Sequence, residues 1–170
     1  ESESRGLGDV YKRQLNNQFT YTHTGAGVDL YIIDTGVRGA SRPTGSTAAL
    51  HPELYDPNNR NLTTIVPDQG LYRVFELSHF SGLGGTNEDD NGHGTACAIL
   101  ASGWRYGVAK DVRIYALKVF GSNKSGALSD IASAYQAVID HNDSSSAYYK
   151  GNNRPAIINA SLGVLTPKEA

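Results

Sequence analysis

Three short runs of this chain, Val28 to Ile33, Val112 to Val119 and Ala156 to Ala160, are rich in apolar and β-branched residues. The third is apolar on consecutive positions, which suits a strand covered on both faces, as in a parallel sheet flanked by helices. Helical patterns separate the runs. Thr95 to Ala101 is a stretch of small residues suited to a tightly packed helix. Farther on, Leu128, Ile131, Ala132, Tyr135, Val138 and Ile139 fall on one helical face, with Ser125 or Ser129 as candidate caps. Strand, helix, strand, helix, strand predicts an α/β fold with a largely parallel sheet and helices on both faces.

The chain has 170 residues, 39% hydrophobic and 19% charged, enough to bury about 70% of its unfolded surface. A net charge of −2 offers no basic patch, so nucleic acid is not an implied partner. No apolar run approaches the ~20 residues needed to span a bilayer, and no positively charged segment with an apolar core opens the chain. One cysteine excludes an internal disulfide framework. The five histidines never form a His-x-x-x-His pair, which disfavours a zinc peptidase, and no metal ligand set is assigned. Residues 1–14 lack periodicity, and Gly6 to Gln14 reads as a non-native, adaptor-derived leader that is set aside from fold reasoning. Residues 15–170 form the domain proper. Within it, Gly39 to Ala49 and Pro67 to Asn91 read as long connections, the second carrying a short strand at Tyr72 to Leu77.

The chemistry concentrates in two signatures, Ile33-Asp34-Thr35-Gly36 and Asn91-Gly92-His93-Gly94-Thr95. The first is a strand releasing a carboxylate at its end, and in parallel sheets sites form outside the carboxyl ends of strands. The second sets a histidine between glycines at a helix start. A buried carboxylate that orients an imidazole, which takes a proton from a hydroxyl, is the logic of nucleophilic acyl transfer. Taken singly, Asp34 could be a turn aspartate and His93 a structural residue; the two motifs together favour catalysis. Cys97 reads as a small buried thiol rather than a nucleophile. Glu88, Asp89 and Asp90 read as a solvated loop, because no calcium-loop spacing with a distal Glu accompanies them. Ser161 follows a strand but lacks the Gly-x-Ser-x-Gly elbow of a nucleophile.

On these residues the chain resembles the N-terminal half of a subtilisin-family peptidase of the proteinase K branch. The resemblance runs from Val28 to Val37 through His51-Pro52-Glu53-Leu54, Asn91 to Ala98, Tyr106 to Ala109, Ala116 to Val119 and Ser125-Gly126 to Ile158-Asn159-Ala160-Ser161-Leu162-Gly163, in family order. It implies a truncated three-layer sandwich and a serine endopeptidase working through an Asp-His-Ser triad. Only Asp34, the orienting acid, and His93, the general base, are present, so 15–170 is expected to be an incomplete peptidase domain, inactive alone. It further implies that Ser125, Gly126, Ser161, Leu162 and Gly163 flank a bound peptide as backbone strands. Also implied are a polypeptide substrate, an inhibitory propeptide, export from the cell, a monomeric complete enzyme and no required cofactor; structural calcium is not readable. The 59-residue gap between Asp34 and His93 is roughly twice that of compact family members, and the usual histidine is replaced by Ala96.

Two rivals stand beside this reading. Ile32-Ile33-Asp34-Thr35-Gly36 would also serve an aspartic peptidase of the retroviral type, a nearly all-strand dimer that the helical pattern from Leu128 to His141 opposes. A non-catalytic, peptide-binding module of the same fold is the other, and the residues after Ala170 discriminate it.

Overall fold

A computed structural model describes residues 21–39, 51–54, 73–77, 80 and 82–163. The leader at 1–14, Tyr72 and most of the 39–49 connection lie outside the described residues. The described elements are β1 (Asp29–Asp34), β2 (Val74–Glu76), α1 (His93–Ser102), β3 (Arg113–Lys118), α2 (Leu128–Asn142) and β4 (Ala156–Asn159), with 3₁₀ turns at Pro52–Leu54 and Leu83–Gly85. The strands form one sheet in the order β2-β3-β1-β4, every pairing parallel. Strand β1 is central and buried along its whole length, as expected for a strand covered on both sides.

Side chains alternate across a strand, and that alternation divides the core in two. Leu30 and Ile32 join Val74, Val112, Ile114, Ala116 and Ala98 of α1 on one face. Tyr31 and Ile33 join Tyr115, Leu117, Val119 and Ala134, Ala137 and Val138 of α2 on the other. The three-layer α/β architecture expected from the sequence is therefore present. Asp34 shares the parity of Leu30 and Ile32, which directs its side chain to the face that carries α1.

Helix α1 docks through small residues: Gly94, Thr95, Ala98 and Ser102 are its buried positions. Helix α2 departs from the expected face. Leu128 and Ile139 are largely exposed and Tyr135 partly so, while Ala134, Ala137 and Val138 are buried. Two adjacent apolar stripes exist on this helix, and periodicity alone does not say which meets the sheet; the alanine stripe lets the helix approach the stacked rings of Tyr31 and Tyr115, 5.0 Å apart. The Tyr31 hydroxyl lies 2.8 Å from His141 Nδ1 and accepts from Asn142 Nδ2 at 3.0 Å, pinning the end of α2. Neither Ser125 nor Ser129 caps the helix. Ala127 stands at the cap, and Asp130 Oδ2 accepts from its N–H at 3.4 Å.

At the opposite end of β1 from Asp34, the buried Asp29 carboxylate receives Lys150 Nζ at 2.8 Å and Arg154 Nε at 2.6 Å. This ion triad fastens the approach to β4 onto β1. Strand β4 is exposed rather than buried along most of its length, because among the described residues it is paired only with β1.

Candidate active site

The site stands at the carboxyl end of the sheet. Asp34 is the last residue of β1 and fully buried. Its Oδ1 accepts the N–H of Thr35 at 2.7 Å. His93 Nδ1 lies 2.7 Å from Oδ1 and 2.9 Å from Oδ2 of the same carboxylate. An imidazole held this way presents Nδ1–H to the carboxylate and keeps Nε2 as its remaining acceptor. The histidine side chain is 37% exposed against 0% for the aspartate, so the imidazole is reachable while the carboxylate that holds it is not.

Glycines make this approach feasible. A β-carbon on Gly94 would stand 2.2 Å from the Gly36 carbonyl and 3.0 Å from Asp34 Cβ. Gly36 itself has φ +103°, a conformation that side chains rarely adopt, and a β-carbon there would meet the Asn87 carbonyl at 2.5 Å. The motif glycines thus set the distance between the strand end and the helix start.

The acidic run is only partly the solvated loop expected: Asp90 is exposed, whereas Glu88 and Asp89 are half-buried, and all three are bonded to the protein. Glu88 accepts the Gly39 N–H at 2.8 and 2.9 Å. Asp90 pairs at 2.5 Å with Lys118 Nζ, a buried amine that also donates to the Thr35 carbonyl at 2.7 Å. Asp89 Oδ1 accepts from Thr35 Oγ1 at 2.9 Å and from the N–H groups of Asn91 and Gly92 at 3.0 and 2.8 Å. Its Oδ2 accepts from the Thr95 N–H at 2.9 Å and from the Thr95 hydroxyl. Burial alone would raise the Asp89 pKa, but the hydrogen bonds from Thr95, Gly92 and Asn91 outweigh it and hold the carboxyl below its ordinary range. Each of these carboxylates thus meets donors of the protein. These contacts escape sequence reading because they join positions up to 83 apart. The local signal was an aspartate just before a helix start.

Cys97 lies one helical turn after His93. Its Sγ is 3.9 Å from Asp34 Oδ2 and 4.0 Å from His93 Nδ1. Ligand-type atoms of Asp34, His93 and Cys97 fall within 4.8 Å of one another, but Nδ1 is already engaged by the carboxylate. A half-buried thiol beside the pair matches the expected packing role better than a nucleophile.

The remaining expected residues follow the strands that flank β1. Ser125 and Gly126 lie in the exposed loop after β3, where the Ser125 carbonyl accepts the Gly121 N–H at 3.0 Å. A β-carbon on Gly126 would stand 1.9 Å from the Val119 carbonyl. Ser161, Leu162 and Gly163 follow β4; Leu162 packs against the α2-side core, and Ser161 Oγ accepts from Asn159 Nδ2 at 3.1 Å. Among the described residues the backbone of 161–163 has no backbone hydrogen-bond partner. Parallel topology brings both segments to the Asp34 end of the sheet, one on each side of β1. An open cleft at the start of α1, lined by Arg38, His51, Asp89, Asp90, Asn91, Gly92, Thr95, Ala96 and Ile99, includes none of them.

The family model described as the subtilase family matches residues 25–169. An extracellular serine proteinase from Thermus sp. (strain Rt41A) is 31% identical over 160 residues, covering 93% of this chain and 30% of the relative. A subtilisin-like serine protease from Rhodotorula mucilaginosa is 35% identical over 149 residues, covering 86% of this chain and 35% of the relative. The crystal structure of a cold-adapted subtilisin-like serine proteinase matches with a TM-score of 0.57 at 27% identity, over 88% of this chain and 42% of that one. The chain spans about a third of the length of these curated relatives.

Proposed function

The chain belongs to the subtilase family, and on that premise we propose that the complete protein is a serine endopeptidase in which His93 is the general base and Asp34 its orienting acid. The observation that carries this reading is the short contact of His93 Nδ1 with both Asp34 oxygens, 2.7 and 2.9 Å. A serine supplied by the rest of the protein attacks the peptide carbonyl. His93 Nε2 takes the hydroxyl proton and returns it to the leaving amine, while the Asp34 charge holds the tautomer and stabilises the imidazolium. Imidazole and hydroxyl supply the proton transfer and the nucleophile, so the reaction needs no cofactor.

The substrate in this reading is an extended polypeptide that adds as a strand between 125–126 and 161–163. That placement is supported by the backbone of 161–163, which has no backbone hydrogen-bond partner among the described residues. By the same family logic the enzyme is exported, is made with an inhibitory propeptide and acts as a monomer; the extracellular Thermus relative supports export. The retroviral aspartic reading is not carried forward, because Asp34 is bound to an imidazole and the sheet is parallel.

The test uses the complete reading frame. Purified protein should cleave casein and a peptide p-nitroanilide at neutral to alkaline pH, lose activity to a serine-directed sulfonyl fluoride, and lose it on His93→Ala. The 170 residues alone should be inert. An acidic optimum insensitive to the reagent would overturn the assignment, and peptide binding without hydrolysis would favour the non-catalytic module.

A further inference from the structure

We propose that Asp89 is a positioning residue of the proton-transfer pair, its carboxylate locking the strand end that carries Asp34 to the helix start that carries His93. The inference rests on the reading of Asp34 and His93 as acid and base. Its two oxygens divide the task. Oδ1 reaches Thr35, the residue after Asp34, at 2.9 Å, and the N–H groups of Asn91 and Gly92. Oδ2 takes both the N–H and the hydroxyl of Thr95, one turn into α1.

A plain helix cap needs only the N–H groups. The bond to Thr35 is extra, and it closes a ring, because Thr35 Oγ1 accepts the Gly94 N–H at 2.9 Å while donating to Asp89. The residue after Asp34 and residues on both sides of His93 are thereby tied through one buried hydroxyl and one carboxylate. Thr35 is fully buried, so its hydroxyl is held away from water on the Gly94 side of the ring. Asp34 and His93 come from elements joined by a long connection, and the motif glycines permit their close approach without bonding one to the other. Proton transfer needs that separation held to a fraction of an ångström; a displacement of about 1 Å can lower turnover about 10²-fold.

Asparagine at 89 keeps the shape but turns one acceptor oxygen into a donor that faces other donors. In the complete protein, Asp89→Asn and Thr35→Val should each lower kcat about 10- to 100-fold with KM within about twofold. Combined, they should cost little more than either alone, and Thr35→Ser should restore activity by restoring the hydroxyl. Asp29→Asn, at the other end of β1, is the control for stability: Tm should fall with kcat unchanged. The far-downfield Nδ1 proton resonance of His93 gives a second readout, expected in the parent and in Thr35→Ser but lost in Asp89→Asn and Thr35→Val. A protein that proves inactive, or that survives His93→Ala, refutes the peptidase reading, and the resonance then still decides on Asp89. Should Asp89→Asn fail to fold, Thr35→Val, which leaves the cap intact, decides alone. Unchanged kcat and an unchanged resonance alongside a lowered Tm would overturn the proposal and leave Asp89 a helix cap.

Discussion

Gly94 sits so close under Gly36 that a β-carbon on it would stand 2.2 Å from the Gly36 carbonyl oxygen. The obstacle is backbone, so it cannot swing aside as a flexible side chain would. Gly94→Ala should therefore push α1 away from β1 and lengthen the Asp34–His93 contact. Overpacking of this kind costs about 1–3 kcal/mol. Urea denaturation should report a loss of that size, and activity of the complete protein should fall by more than the folded fraction does. A variant with parental stability and turnover would show that the helix start is not held by this contact.

Asp89 makes stability depend on acid in a defined direction. Its folded pKa lies below the ordinary value of 3.8. A carboxyl depressed in the folded state contributes stability that is present above its unfolded pKa and lost as pH falls through the folded one. The stability gap between the parent and Asp89→Asn should thus be constant at neutral pH and close as pH drops below 3.8. Denaturation midpoints of the pair, measured across that range, give the answer. A gap that widens on acidification would reverse the sign and exclude the proposed contacts.

Local chemistry decides which features of such a chain are legible. Asp34 and His93 could be read because each sits in a motif whose glycines state a backbone requirement, and the structure brings them together as expected. The parallel sheet could be read because buried strands leave apolar runs. Asp89 could not, since its partner Thr35 is distant in sequence and an acidic run looks the same whether solvated or clamped. Helix α2 misled for a different reason. Its large residues Leu128 and Ile139 are exposed while small alanines dock, and hydrophobic periodicity weighs size and apolarity rather than the closeness a stacked tyrosine pair allows. Strand β4 was legible in type but not in burial, which depends on what lies beside it.

The Asp29 triad gives a stability prediction separate from catalysis. Asp29 and Lys150 are 0% and 3% exposed, and Arg154 is 22% exposed. Removing one member of a buried charge set leaves the others uncompensated, at a cost of about 3–5 kcal/mol. Asp29→Ala should fall in that range, because two cations then face each other without an anion. Lys150→Met should cost less, since Arg154 still neutralises Asp29. Equal losses for the two variants, measured by denaturant unfolding, would mean that Arg154 does not share the charge.

Strand β4 sets the last expectation. It pairs with β1 along residues 156–159, and among the described residues no strand lies on its other side. Ile157 and Ile158 are 56% and 38% exposed. An open strand edge carrying exposed β-branched residues is a template for pairing with another chain, and the apolar area it leaves in water forfeits about 25 cal/mol per Å². The 170-residue polypeptide should therefore self-associate in sedimentation velocity at micromolar concentration. Ile157→Lys should shift it toward monomer by placing a charge on the edge, without touching the Asp34 end of the sheet. The complete protein should sediment as a monomer under the same conditions. A monomeric 170-residue sample with one sharp, cooperative melt would show that this edge is already satisfied, and Ile157→Lys would then leave its sedimentation unchanged.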